Sequence, residues 1–194
     1  MSVQVVVAHY KEDLEWVHLL KYPTMVISKS DFECETIPNR GNEASSYLQY
    51  IIGNYDHLST WTIFVHGHRT DWHHTRNTDE HINEMVFEYP YYNINEVGLV
   101  HLCTFSNREP EMVMRELFPL IEGILETKID ITKLEYKGCG QFYVHRDLIL
   151  RHPKQKYIEL YQFLMTTPVR SYWSGRIFEY LWHFIFTGDL VDRR

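Results

Sequence analysis

The sequence has little cysteine, little positive charge and no long apolar run. Its 194 residues include only Cys34, Cys103 and Cys139. These are too few and too scattered for a disulfide framework or a four-thiolate zinc site, so a reducing compartment is expected. Lys and Arg number 19 against 26 Asp and Glu, a formal net charge of -7. That balance argues against a broad phosphate-binding surface, and nucleic acid is not an expected partner. No segment approaches the roughly 20 apolar residues that span a bilayer. The most apolar stretch, Ile177 to Phe186, is half that length and carries Glu179 and His183. The opening MSVQVVVAHYKEDLEW lacks a basic start and turns polar after Ala8, unlike a signal peptide. A soluble, cytoplasmic chain is therefore expected, reaching a membrane only through a partner. Internal repeats and low-complexity segments are missing as well.

The composition is that of a globular protein, with 44% hydrophobic and 23% charged residues. The length fits one domain with one full core over 1–194. Val3 to Ala8 is a continuous β-branched run, the pattern of a strand covered on both faces in a parallel sheet. Lys11 to Leu20 then changes to helical spacing, with Leu14, Val17 and Leu20 on one side. Met25 to Ser28 and Trp61 to Val65 read as further strands. Between them a helix is expected from Asn42 to Asn54, with Ala44, Tyr47, Leu48 and Ile51 on one face. The alternation predicts an open α/β sheet. The stretch from Arg69 to Asn95 is too polar for a core segment and reads as a long functional loop. Beyond it, Val97 to Leu102 and Gln141 to Val144 read as strands. Helices are expected at Glu111 to Glu126, around Met112, Leu117 and Ile121, at Pro153 to Met165 and at Gly175 to Phe186.

Ligands of open α/β sheets bind beyond the carboxyl ends of the strands. Three polar clusters fall there. His66-Gly-His68 leaves a strand end with two imidazoles able to face one site, and Asp71, His73, His74 and Asp79 follow closely; imidazole is a common ligand for Zn, Mn, Fe and Ni. His9 and Tyr10 end the first strand. The loop Asn39-Arg-Gly-Asn-Glu43 precedes a helix N-terminus, where backbone N–H groups and Arg40 can meet a phosphate, although Gly41 equally suits a turn. In the last helix, apolar nearly all round, Arg176, Glu179 and His183 form a polar stripe. A buried carboxylate there must pair with Arg176, reach a cleft or contact a metal. In a cleft, Glu179 would be a general base and His183 a ligand.

Four motifs together resemble a known family: Pro38-Asn-Arg-Gly-Asn-Glu-Ala-Ser-Ser-Tyr-Leu48, Ile63-Phe-Val-His-Gly-His-Arg69, Gly140-Gln-Phe-Tyr-Val-His-Arg-Asp147 and Ser174-Gly-Arg-Ile-Phe-Glu-Tyr-Leu-Trp-His183. They are similar to a family of largely uncharacterised domains of fungi, bacteria and large DNA viruses. It includes the N-terminal glycosyltransferase domain of a chlorella-virus protein that builds capsid glycans. The family is similar to GT-A glycosyltransferases. The resemblance implies a single GT-A-like (Rossmann-like) domain, a mostly parallel sheet flanked by helices, with further domains following in a longer protein. It implies a UDP-sugar donor, a glycan or glycoprotein acceptor, a divalent metal, Mn²⁺ or Mg²⁺, and, in a virus, action in the host cytoplasm. On it, Ala8, His9 and Tyr10 line the nucleotide pocket and Asn39, Arg40, Gly41 and Glu43 lie beside the uridine diphosphate. His66 and His68 stand where GT-A enzymes carry Asp-x-Asp, and His183 joins them at the metal. Gly140, Gln141 and Arg176 border the donor sugar, and Glu179 is the base of an inverting displacement. Histidine in place of Asp-x-Asp favours softer ions than Mn²⁺ or Mg²⁺.

Two other readings are open. His66, His68, Asp71 and His73 superficially match the ligand run of metallo-hydrolases of the metallo-β-lactamase kind, though the spacing before Asp71 is off by a residue. A non-enzymatic carbohydrate-binding module would use Trp72, Tyr89, Tyr91, Tyr92 and Trp173 as stacking faces.

Overall fold

Strand β1 (Val3–His9) alternates between two cores, which is why it reads as apolar but for Gln4 until His9. Val6 and Ala8 belong to the larger core and Val3, Val5 and Val7 to the smaller. The computed structural model describes residues 1–30, 35–102 and 108–193, with the backbone alone at 35, 36 and 108–115. Cys34 and Cys103 lie outside the described residues, as does the side chain of Met112. Around β1 stand β2 (Thr24–Ser28), β3 (Glu35–Thr36), β4 (Trp61–His66), β5 (Tyr91–Asn93) and β8 (Phe142–His145), in the order β3-β2-β1-β4-β8-β5. The first four are parallel, and β8 runs antiparallel to both β4 and β5. A small antiparallel ladder pairs β6 (Val100–His101) with β7 (Glu135–Tyr136).

The larger core lies under α1 (Asn42–Asn54), α3 (Arg108–Leu125), α5 (Lys154–Thr166) and α6 (Ser171–Thr187). In α1, Ala44, Tyr47, Leu48 and Ile51 are fully buried, as their helical spacing predicts. In α6, Trp182 stacks on Phe186 with ring centroids 5.7 Å apart. Gly188, left-handed at φ 80°, ends that helix. The smaller core holds Trp16, Ile63, Ile82, Ile94 and Tyr143 on the other face of the sheet. Short α2 (Thr78–Glu84) and α4 (Arg146–Ile149) complete the chain.

Several expectations need correction. Lys11 to Leu20 is not an α-helix: only Glu15–Leu19 forms a 3₁₀ turn. The Glu12 carboxylate accepts the N–H groups of Tyr10 and Lys11, and the Trp16 indole donates to the Gly67 carbonyl at 2.8 Å, so the segment is tied to the end of β4 instead. The polar stretch 69–95 is not structureless, since it contains α2 and β5. Its buried positions Ile82, Tyr91 and Asn93 are too widely spaced to give a periodic signal. Only Val100–His101 of the expected strand 97–102 pairs, and it lies outside the main sheet. α6 starts earlier than expected, at Ser171.

Candidate functional site

The strand order reverses at β1: the chain moves outward through β2 and β3 and returns to place β4 on the other side. Open α/β sheets bind ligands at such a switch point, beyond the carboxyl ends of the strands. A cavity of about 370 Å³ opens there, lined by Ala8, His9, Tyr10, Glu12, Lys29, Asn39, Asn42, Glu43, His66 and His68.

Its floor is made by buried polar groups. The His9 ring shares hydrogen bonds with the Ser28 hydroxyl at 2.9 Å and the Glu12 carbonyl at 3.1 Å, which fixes the end of β1 against β2. Glu12, overlooked in the sequence, takes two backbone N–H groups and sits 3.6 Å from the half-exposed His68 ring. Burial raises its carboxyl pKa, but those N–H groups and His68 bring it below the usual value. A Cβ at Gly67 would stand 2.8 Å from Glu12 Oε2, so a side chain between the two histidines would displace the Glu12 carboxylate. Lys29, also overlooked, donates to the Arg40 carbonyl at 3.3 Å; burial lowers its pKa to about 8, against the pull of Glu43 and Glu12. The Arg40 guanidinium itself turns away and donates to the Thr167 carbonyl.

The partly buried carboxylates of Glu43 and Glu179 stand on either side of Gly140. Gly175 makes this possible: a Cβ there would come within 2.7 Å of the Gly41 backbone, so α6 passes close against the start of α1. Gly41 and Gly140 are left-handed at φ 65° and 53°, and Cys139 beside Gly140 adopts φ 71° despite its side chain. Gly140 lies between the two acids; its Cβ would stand 3.0 Å from Glu43 Oε1 and 3.6 Å from Glu179 Cγ. Cys139 N–H donates to Glu179 at 3.3 Å. Glu43 Oε1 is buried without a hydrogen-bond partner among the described residues. Burial, then repulsion from Glu179, raises the Glu43 pKa to about 8. Burial also raises Glu179, opposed by Arg176 and the Cys139 N–H. Arg176 donates to the Tyr172 hydroxyl and stacks 4.8 Å over its ring.

Beside the pair stands a row of imidazoles. His66, Asp71 and His73 bring three potential ligand atoms within 4.8 Å of one another. Asp71 lies 2.9 Å from His73 Nε2, while His66 Nε2 is buried without a partner, 4.0 Å from Glu43 Oε2. Burial and the neighbouring His73 push the His66 pKa down to about 3, so its ring is neutral. Gln141 ties the row to the sheet: its Oε1 accepts the His66 N–H at 2.9 Å, and its Nε2 donates to His74 at 2.7 Å and Asn95 at 3.1 Å. His68, 54% exposed, faces Glu12 and is not in the three-residue group. His183 is not brought here either. It lines a second cavity, with Pro90, Tyr91 and Leu190, and burial lowers its pKa to about 4. The sequence offered no sign of which imidazoles converge, because the turns after β4 decide it.

A family model described as Protein of unknown function (DUF3431) matches residues 5–194. The chain belongs to the DUF3431 family. No curated protein matches the DUF3431 chain in sequence. Among solved structures, it is similar to the WbbM bifunctional glycosyltransferase in its apo form, with a TM-score of 0.52 and 10% identity over 97% of this chain. The match spans 43% of that larger chain. At that identity the likeness shows the fold: a mixed α/β domain with a mostly parallel sheet flanked by helices, GT-A-like. Among the described residues no helix is long and apolar enough to cross a membrane.

Proposed function

We propose that this DUF3431 chain is an inverting glycosyltransferase that moves a sugar from a UDP-sugar to a glycan or glycoprotein acceptor, as one domain of a longer protein. The observation that carries the reading is the paired carboxylates Glu43 and Glu179 beside a cavity at the switch point of a glycosyltransferase-like sheet. The resemblance to capsid-glycan enzymes supports the donor and acceptor classes.

Two acids this close share one proton, because ionising both in a buried site is costly. Glu43, raised to about 8 by burial and by Glu179, holds the proton; Glu179, beside Arg176 and the Cys139 N–H, is available as a base. In transfer, the acceptor oxygen bonds to the anomeric carbon as the bond to the nucleotide diphosphate breaks, and the acceptor proton passes to Glu179. Lys29 and the first N–H groups of α1 would face the diphosphate, and Ala8, Tyr10 and Asn39 the nucleoside. A divalent metal fits at His66, Asp71 and His73, where a buried imidazole nitrogen lacks a partner. Bound there, it would supply Lewis-acid charge to a leaving diphosphate.

Thermal unfolding of chelator-treated protein with UDP, GDP, CDP and ADP, with and without divalent metal, tests the donor class. At 100 times its dissociation constant a nucleotide adds about 2.7 kcal/mol, or roughly 5 to 10 °C at this size. Stabilisation by UDP in preference to the others supports the reading, and an inverted product from a UDP-sugar completes it. No response to any nucleotide would sink it and turn attention to a metallo-hydrolase using the same histidines.

A further inference from the structure

We infer that His66, Asp71 and His73 form a three-ligand site for a zinc-class divalent cation, taken up by the protein alone with no nucleotide present. This does not depend on glycosyl transfer. Two imidazoles and one carboxylate are a borderline-soft donor set, suited to zinc or cobalt rather than to the harder Mn²⁺ and Mg²⁺.

Three observations support it independently of any family. The ligand atoms already converge within 4.8 Å, although His66 comes from the end of β4 and the other two from the loop beyond it. The site has an unmet need, because His66 Nε2 is buried with no hydrogen-bond partner among the described residues. Leaving such a nitrogen dry costs free energy that a metal bond would recover. The surroundings also resemble the outer shell of a metal site. A ligating imidazole usually gives its second N–H to an oxygen acceptor, which fixes the ring. The Asn95 side chain hydrogen-bonds His73, and the Gln141 amide clamps Asn95 and the His66 backbone together. His73 and the His66 ligand nitrogen are buried whereas Asp71 is partly exposed, so a cation would enter from solvent past Asp71. Three protein ligands with an open position characterise catalytic rather than structural zinc.

The experiment titrates Zn²⁺ into the chelator-treated 194-residue chain without nucleotide, by competition calorimetry, and records the electronic spectrum of the Co²⁺ form. One equivalent of Zn²⁺ should bind, and the cobalt bands should be those of a low-coordinate nitrogen and oxygen site that Zn²⁺ bleaches. Asp71→Asn and His73→Ala should each weaken binding by on the order of 100-fold or more, beyond what loss of an outer-shell partner costs. Asp71→Asn changes a partly exposed side chain by one atom, so it keeps the test valid if His73→Ala fails to fold. His68→Ala and His183→Ala should retain the metal. The inference is overturned if the wild type takes up neither ion, if Asp71→Asn binds as the wild type does, or if His68→Ala or His183→Ala abolishes uptake. Zinc uptake with no UDP response would leave this site standing and remove the transferase reading.

Discussion

The two cavities have the same volume, about 370 Å³, yet they differ in chemistry. Glu43 lines the first, with Glu179 of α6 behind it across Gly140, and His183, one turn further along α6, lines the second. At the first, charged groups from several elements act on one another: Glu43 is raised by burial and Glu179, Lys29 is lowered by burial, and His66 is lowered by burial and His73. At the second, burial lowers His183 against the Leu190 backbone and Asp189, and burial and then Asp192 raise Tyr91, so fewer groups act on one another. Mutual perturbation across a cleft marks a candidate site.

The comparison is broken most directly by removing the base. Glu179→Gln preserves shape and should lower turnover with a UDP-sugar by about 100- to 10,000-fold, the usual worth of a general base. Donor binding, read as the UDP-induced shift in unfolding temperature, should survive. A Glu179→Gln enzyme that turns over normally would remove the chemical distinction between the cavities.

The next largest effect concerns how α6 reaches the first cavity. In Gly175→Ala the new methyl would meet the Gly41 backbone at 2.7 Å and Asn42 Cβ at 2.8 Å, and backbone cannot swing aside as a side-chain tip can. Overpacking of this kind costs about 1 to 3 kcal/mol, and each kcal/mol lowers the unfolding temperature by roughly 2 to 4 °C at this chain length. Calorimetry should show that loss, together with reduced transfer as Glu179 moves from Glu43.

How much of this was legible in the sequence depends on what set each feature. β1 and β4 could be read because both faces are buried, so most positions are apolar, with Gln4 and Thr62 the polar residues inside the runs. The stripe Arg176, Glu179, His183 was visible, yet helical spacing could not show that Glu179 meets Gly140 while His183 meets Leu190. Glu12 and Lys29 went unnoticed because their roles arise from a tight turn and a neighbouring strand end. The pairing of His66 with His73 rather than His68 is likewise a property of the loop. Antiparallel β8 was foreseen as a strand, but nothing in Phe142 to His145 encodes its direction.

A subtler contrast lies in pH dependence. The Glu43 pKa is raised from 4.5 to about 8 in the folded chain, so between those values the folded state holds a proton that the unfolded state has lost. Stability from this group is present below the ordinary carboxyl range and declines as pH rises toward 8. The buried histidines act with the opposite sign: their folded values are depressed, and stability is lost as pH falls below 6.5. Between pH 7 and 8 Glu43 titrates together with Lys29, whose folded value is lowered to about 8 and whose contribution has the opposite sign, so the carboxylate is read from the difference between wild type and variant. Denaturant titrations there should show the stability of Glu43→Gln rising more steeply with pH than that of the wild type. An unchanged slope would mean the pair does not share its proton.

The smallest effect should come from the second cavity. His183→Gln replaces a buried neutral ring whose Nε2 has no partner among the described residues with another neutral group able to hydrogen-bond. Stability near neutral pH should change by no more than about 1 kcal/mol, and turnover should not change. Only the acid limb should respond. His183 is lowered from 6.5 to about 4, so the wild type gives up stability as pH falls through that range and the variant does not. Unfolding curves collected between pH 4 and 6.5 should converge toward the acid end. If His183→Gln instead abolished transfer, the helix would be feeding both cavities into one reaction, and the division between Glu179 and His183 would be lost.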